Sequence, residues 1–156
     1  MGGTGSAKNN CLYFEKEYRG VSAHYFVGHS GEVYRCVEDT NIAWHCGAKQ
    51  YKHKKCRNAN SIGIEMCCRK KGNTWYFEEA TVKATIELTK ELMKKYNIPK
   101  ENVIRHYDVS GKVCPAPYVK NDTKHTWGGF INSFSTVAKK EETVKDNKKT
   151  NEQIAK

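Results

Sequence analysis

Residues 78–96 carry one helical period without interruption, and that run constrains what the rest of the chain can be. Val82, Ile86, Thr89, Met93 and Tyr96 fall on one stripe, widened by Leu88 and Leu92, and Pro99 stops any continuation. A helix with one apolar face has to be laid against a second layer. The clearest strand is Ser61–Cys67. There Ile62, Ile64 and Met66 alternate with Ser61, Gly63, Glu65 and Cys67 at the period of two that a half-buried strand requires.

The remaining elements follow from punctuation. Residues 6–18 read as a short capped helix ending before Gly20, and 22–27 with 32–37 read as a hairpin about Gly28-His-Ser-Gly31. Residues 38–60 form a long irregular stretch of the kind that lines binding surfaces. A short strand is expected over 103–106, a turn-rich loop over 107–117 and a closing helix over 126–137, with Trp127, Phe130, Ile131 and Phe134 on it. This order predicts an α/β fold with a mixed central sheet flanked by helices. From Ala138 the composition turns to Lys, Glu, Asn and Thr, so 1–137 is expected to be the domain and 138–156 a solvated linker or tail.

The net charge of +10 asks for an anionic partner at long range, but the lysines are scattered. No basic helix with interleaved aromatics marks a nucleic-acid surface, and no apolar run approaches the length of a membrane span. The seven cysteines are odd in number and show no C-x-x-C spacing. The expectation for most of them is small buried hydrophobes in a protein made in a reducing cytosol, with the adjacent Cys67 and Cys68 as free thiols.

Chemistry concentrates in Arg105–Pro115. His106 stands eight residues before Cys114 with Lys112 between them, and imidazole and thiolate are both good zinc ligands. The alternative is that His106 caps a strand and Cys114 packs in the core. Glu65 is an unusual residue for a strand interior; beside a metal it would suit a general base, and otherwise it is a solvent-facing strand residue. His24 reads as structural and His45 as a loop residue able to meet substrate. His29, His53 and His125 read as surface residues, and Asp108 as a loop-capping acceptor.

Four motifs in order, Ser22-Ala-His-Tyr-Phe-Val27, Ala43-Trp-His-Cys-Gly47, Asn60-Ser-Ile-Gly-Ile-Glu65 and His106-Tyr-Asp-Val-Ser-Gly-Lys-Val-Cys-Pro115, resemble the zinc amidases of the phage-lysozyme and peptidoglycan-recognition-protein superfamily. The resemblance covers residues 2–137 and is closest to the lysins of phages of Gram-positive bacteria. It implies a peptidoglycan-recognition-protein-like fold and hydrolysis of the amide between N-acetylmuramic acid and L-alanine. It further implies zinc held by His106 and Cys114, Glu65 as catalytic carboxylate and Lys112 beside the reacting carbonyl. Trp44, His45 and Asn60 fall at its substrate-binding positions. The implied partner is peptidoglycan, with anionic wall polymers as a further class, no nucleic acid, and a monomeric chain made in the cytoplasm and acting on the wall.

The chain departs from the pattern at one point. The superfamily's first zinc ligand is a histidine at the end of an N-terminal strand; here Gly2-Gly-Thr-Gly5 resembles the segment just after that histidine, and no histidine precedes His24. The expectation is therefore a fold lacking its N-terminal strand, with a non-catalytic peptidoglycan-binding module as the alternative function. Thr150–Lys156 resembles the opening of a wall-binding repeat.

Overall fold

The computed structural model describes residues 5–16, 20–120 and 124–135. The sheet is built on β1 (Tyr25–Val27), whose residues are all buried. On one side β1 pairs antiparallel with β2 (Val33–Arg35), placing Phe26 opposite Tyr34. On the other it runs parallel to β3 (Ile64–Met66), placing Phe26 opposite Glu65. The hairpin turn at 28–31 is pressed against the long helix. Thr81 donates from Oγ1 to the Gly28 carbonyl at 2.8 Å, and a Cβ on Gly31, which has φ +84°, would stand 3.0 Å from the Ala80 carbonyl oxygen. Only glycine meets both the backbone and the space there.

Helix α1 (Ala7–Glu15) starts where the Ser6 hydroxyl accepts from the Asn9 amide at 3.2 Å. Ala7 and Cys11 point one turn apart into a buried cluster with Ala23, Phe26 and Cys67, and Phe14 stacks on Phe26 with centroids 5.6 Å apart. Cys11 is bonded to Cys36, just beyond β2. These two depart from the buried-thiol reading expected for most of the cysteines: helix and hairpin bring the two sulfurs together, a proximity that a spacing of 25 residues does not reveal. Cys67 and Cys68 are free, as expected.

Helix α2 (Glu79–Tyr96) buries Thr81, Val82, Thr85, Thr89 and Leu92, while Tyr96 is 39% exposed. The buried face thus turns toward the threonines. Their hydroxyls fit an apolar layer because Thr85 and Thr89 donate back to the carbonyls four residues earlier, at 2.8 and 2.7 Å. The helix ends on Asn97 in the left-handed region at φ 52°, with the Ile98 amide donating to the Met93 carbonyl, before Pro99.

Two differences from expectation concern the connecting segments. Residues 68–77, unassigned from sequence, form a hairpin of β4 (Arg69–Lys71) and β5 (Thr74–Tyr76). Residues 103–106 do not form a strand: a 3-10 turn over Lys100–Asn102 leads through extended residues into α3 (His106–Ser110), so His106 opens a helical turn. The short α4 (Ala116–Val119) and α5 (Trp127–Asn132) come next. Tyr118, Phe130 and Phe134 from this end join Phe77, Val82 and Cys68 in an aromatic core. Of the expected helix over 126–137, α5 covers Trp127–Asn132, and residues 136–156, including the expected linker, lie outside the described residues.

Candidate active site

A cleft of about 690 Å³ opens between β3, α2 and the segment from Val103 to Tyr118. Glu65, His106, Lys112, Cys114 and His45 share its wall, to which residues of α2 and Trp75 also contribute. Among the described residues, no helix is long and apolar enough to cross a membrane.

The loop carrying His106 and Cys114 is held at three points. Arg105 clamps Asp108 with Nε to Oδ2 at 3.0 Å and Nη2 to Oδ1 at 2.8 Å, while Oδ2 also accepts the Arg105 amide. Asp108 is thus the capping acceptor read from sequence. A third guanidinium nitrogen donates to the Tyr118 carbonyl at 2.8 Å. The Tyr107 amide donates to the Cys114 carbonyl at 2.9 Å, which brings the backbones beside the two candidate ligands together.

The His106 ring is prepared on one side and open on the other. It hydrogen-bonds the Gly47 backbone, and its buried Nε2 has no partner among the described residues. Burial and then the Lys112 ammonium push its pKa down, so the ring is neutral and Nε2 keeps a lone pair. A histidine that fixes one nitrogen on backbone and leaves the other bare is oriented as metal-binding histidines are. Cys114 is a free thiol whose pKa burial and then the Glu65 carboxylate push up. Burial also drives the Glu65 pKa up, against the opposing pull of Lys112. The four groups therefore act on one another across one cleft.

His45 is placed by packing. Its Nε2 donates toward the Ser61 carbonyl at 3.3 Å, its ring stands 5.6 Å from that of His24, and burial holds its pKa down at about 4. It sits against Gly63, where a Cβ would collide with the imidazole. Asn58 Oδ1 accepts both the His45 and Cys46 amides, at 3.1 and 2.9 Å. Asn58, Ser61 and Gly63 thus position the imidazole, and sequence reading missed these supporting roles; the glycine inside a strand pattern was the available signal. His24 is structural: Nδ1 accepts from the Gly63 amide and Nε2 meets the Asn41 carbonyl, both at 3.0 Å.

Other sequence candidates separate in space. Trp44 is half exposed and lies outside the cleft wall, joined to Ser22 through its backbone. Asn60 reaches the wall, but its amide is used by the Arg57 amide and the Lys55 carbonyl. The surface reading fails for two histidines. His29 has both ring nitrogens buried, and His125 keeps only 12% of its side chain exposed beside Glu79. Local polarity pointed outward, whereas α2 packs against the turn bearing His29 and Glu79 on the same helix meets His125.

Residues 2–117 match the family model described as N-acetylmuramoyl-L-alanine amidase. The chain belongs to this amidase family. It is 35% identical over 109 residues to the N-acetylmuramoyl-L-alanine amidase CwlL of Bacillus licheniformis, covering 67% of this chain and 29% of that protein. It is 33% identical over 115 residues to AmiD of Escherichia coli, covering 65% and 40%. The amidase-family chain thus spans about a third of the length of such curated relatives. Among solved structures it resembles PlyL at TM-score 0.67 and 27% identity, over 82% of this chain and 74% of that one. It also resembles AmiD bound to anhydro-N-acetylmuramic acid-L-Ala-D-gamma-Glu-L-Lys, at TM-score 0.59 and 26% identity, over 83% and 53%. The α/β fold, with a small mixed sheet flanked by helices, is that of these amidases.

Proposed function

We propose that the chain hydrolyses the amide joining N-acetylmuramic acid to L-alanine in peptidoglycan, with zinc as cofactor. The observation that carries this reading is the convergence of Glu65, the bare Nε2 of His106 and the Cys114 thiol on one cleft. The relatives named as amidases of this bond, and the muramyl peptide bound by AmiD, support the substrate class.

His106 and Cys114 would hold the metal, and their nitrogen and sulfur donors fit zinc. Zinc bound there would supply Lewis-acid chemistry, lowering the pKa of a bound water toward about 7 and polarising the amide carbonyl. Glu65 takes the proton of the attacking water at a carboxylate oxygen; its raised pKa favours holding that proton before returning it to the departing L-alanine amine. Lys112 places positive charge where the carbonyl oxygen becomes anionic. Every residue named comes from one chain, so a monomer suffices. Action at the wall also suits the Cys11–Cys36 bond, which persists outside a reducing cytosol. The exposed lysines at the cleft, Lys55 and Lys112, favour anionic wall polymers as additional contacts.

A non-catalytic muramyl-peptide-binding role is the second reading. It is favoured by one observation: among the described residues no group of three His, Cys, Asp or Glu side chains could hold a metal. The two readings separate on purified peptidoglycan, by measuring newly released amino groups with and without a zinc chelator. Chelator-sensitive release is the expected result. Wall binding without release would instead establish the binding module. Cys114→Ser should lower zinc content, and unchanged stoichiometry would remove Cys114 from the metal site.

A further inference from the structure

Between Asp39 and Glu65 the chain carries no acidic residue, yet Lys49, Lys52, Lys54, Lys55 and Arg57 fall within one short loop. Elsewhere many basic side chains are answered: Arg35 by Glu38, Arg69 by Glu78, Lys95 by Asp39 and Arg105 by Asp108. Among the described residues no carboxylate pairs with a cation of this loop, and its lysines are all exposed. Their backbone is fixed. His53 Nδ1 accepts the Lys55 and Cys56 amides at 3.3 and 2.9 Å, and Asn60 accepts the Arg57 amide at 2.8 Å while donating to the Lys55 carbonyl at 3.0 Å. The Lys52 and His53 amides donate to the Val109 carbonyl at 2.8 and 3.2 Å, tying the loop to α3. The Lys52 side chain lies along Gly111, where a Cβ would stand 2.6 Å from its Nζ, so the loop's charge reaches the residue before Lys112. Lys55 and Lys112 both line the cleft.

We propose that loop 49–57 is a docking surface for an anionic wall polymer of the polyol-phosphate class, held beside the cleft; this rests on the reading that the chain works at the wall. One exposed ammonium holds a phosphate weakly, because water and salt screen it. A polymer that repeats its phosphates along a flexible chain engages several lysines at once, so the contributions add. The loop's hydrogen bonds hold the lysine backbones in place before the polymer arrives, and binding has only side-chain ends left to order. Compact ammonium charges on flexible stems suit phosphodiesters presented one at a time. Nucleic acid fits this surface less well. The loop's large aromatic, Tyr51, already carries Arg57 over its ring at 3.9 Å, which leaves bases little to stack on. A membrane also fits less well, because the loop has no aliphatic side chain to insert.

The test measures binding of the chain to poly(glycerol phosphate), with phosphatidylglycerol vesicles and single-stranded DNA of matched phosphate content as competing probes. Amine release is measured separately, on peptidoglycan stripped of phosphate polymer. The polymer should bind best, and its affinity should fall about tenfold or more between about 50 and 150 mM salt. The double variant Lys49→Glu and Lys54→Glu, at two exposed positions, should lower that affinity about tenfold or more. Lys83→Glu with Lys94→Glu, exposed on α2, changes the net charge equally and should lower it by less than about threefold. Urea midpoints matching that of the unaltered chain show that both variants fold. Amine release from the stripped peptidoglycan should be the same in all three proteins. Its absence, with polymer binding retained, would reject hydrolysis and leave the docking surface standing. Equal losses in the two variants, no binding of the polymer, or tighter binding of DNA or vesicles would overturn the proposal.

Discussion

Gly63→Ala should damage the site by moving His45 rather than by altering the strand. The new methyl would stand 2.7 Å from both Cβ and Nδ1 of His45, and closer still to Cγ, where 3.0 Å is the practical floor. The ring has little room to yield. Its Nε2 is held at Ser61, His24 packs on it, and its own Cβ is among the clashing atoms, so the backbone at 45 must shift. Gly63 is itself held, with its carbonyl accepting from the His24 and Tyr25 amides at 3.0 and 3.1 Å. Overpacking a rigid site costs about 1–3 kcal/mol, and this geometry places the cost at about 2–3 kcal/mol. Urea unfolding of Gly63→Ala, His45→Ala and the double variant measures it. Removing the imidazole removes the clash, so the double variant should be more stable than the sum of the two losses predicts by about 2 kcal/mol. Additivity within about 0.5 kcal/mol would refute the reasoning.

Three further outcomes are expected. Glu65→Gln should leave the chain folded by circular dichroism and lower amine release from peptidoglycan by about 100-fold or more; full activity would remove Glu65 from the reaction. Cys11→Ser frees a loop with a sequence separation of 25, so urea unfolding should show a loss of about 3.5 kcal/mol; an unchanged midpoint would mean that the bond does not constrain the unfolded chain. Protonation of His45 opposes folding because burial, His24 and His106 hold its pKa near 4, below the ordinary 6.5. The unfolded chain therefore binds more protons between those values, and on the order of 3 kcal/mol present above pH 6.5 is lost as pH falls toward 4. In His45→Gln that part of the slope should vanish, and an unaltered slope would assign it elsewhere.

The sequence carried the long helix, the hairpin and the β3 alternation because each rests on a local period. It failed where tertiary contact overrides local preference. Val103, Ile104 and Arg105 have the composition of a strand, yet the Asp108 carboxylate takes the Arg105 amide and begins a helix immediately after them. The charged Arg69-Lys-Lys71 run has no apolar alternation, and it obscured the β4–β5 hairpin although Gly72-Asn73 before Thr74–Tyr76 is a two-residue turn signal. The Cys11–Cys36 bond depends on how the helix and hairpin pack together, which spacing does not encode. His106, Cys114, Glu65 and Lys112 could be singled out as candidates because those residue types are informative in combination and match the family's motifs. Their convergence became visible only in the folded cleft.

The backbone bond from Tyr107 to Cys114 gives segment 106–114 a further property. On the proposed zinc-binding reading, His106 and Cys114 would be two arms on one braced segment, with the Arg105–Asp108 clamp stiffening its base. The entropy of ordering this segment is lost when the chain folds, so a zinc ion bound as proposed would require little further ordering of the backbone between the two donors. Changes at Arg105 or Asp108, neither of which supplies a donor, should therefore loosen ion capture by restoring freedom to the arms.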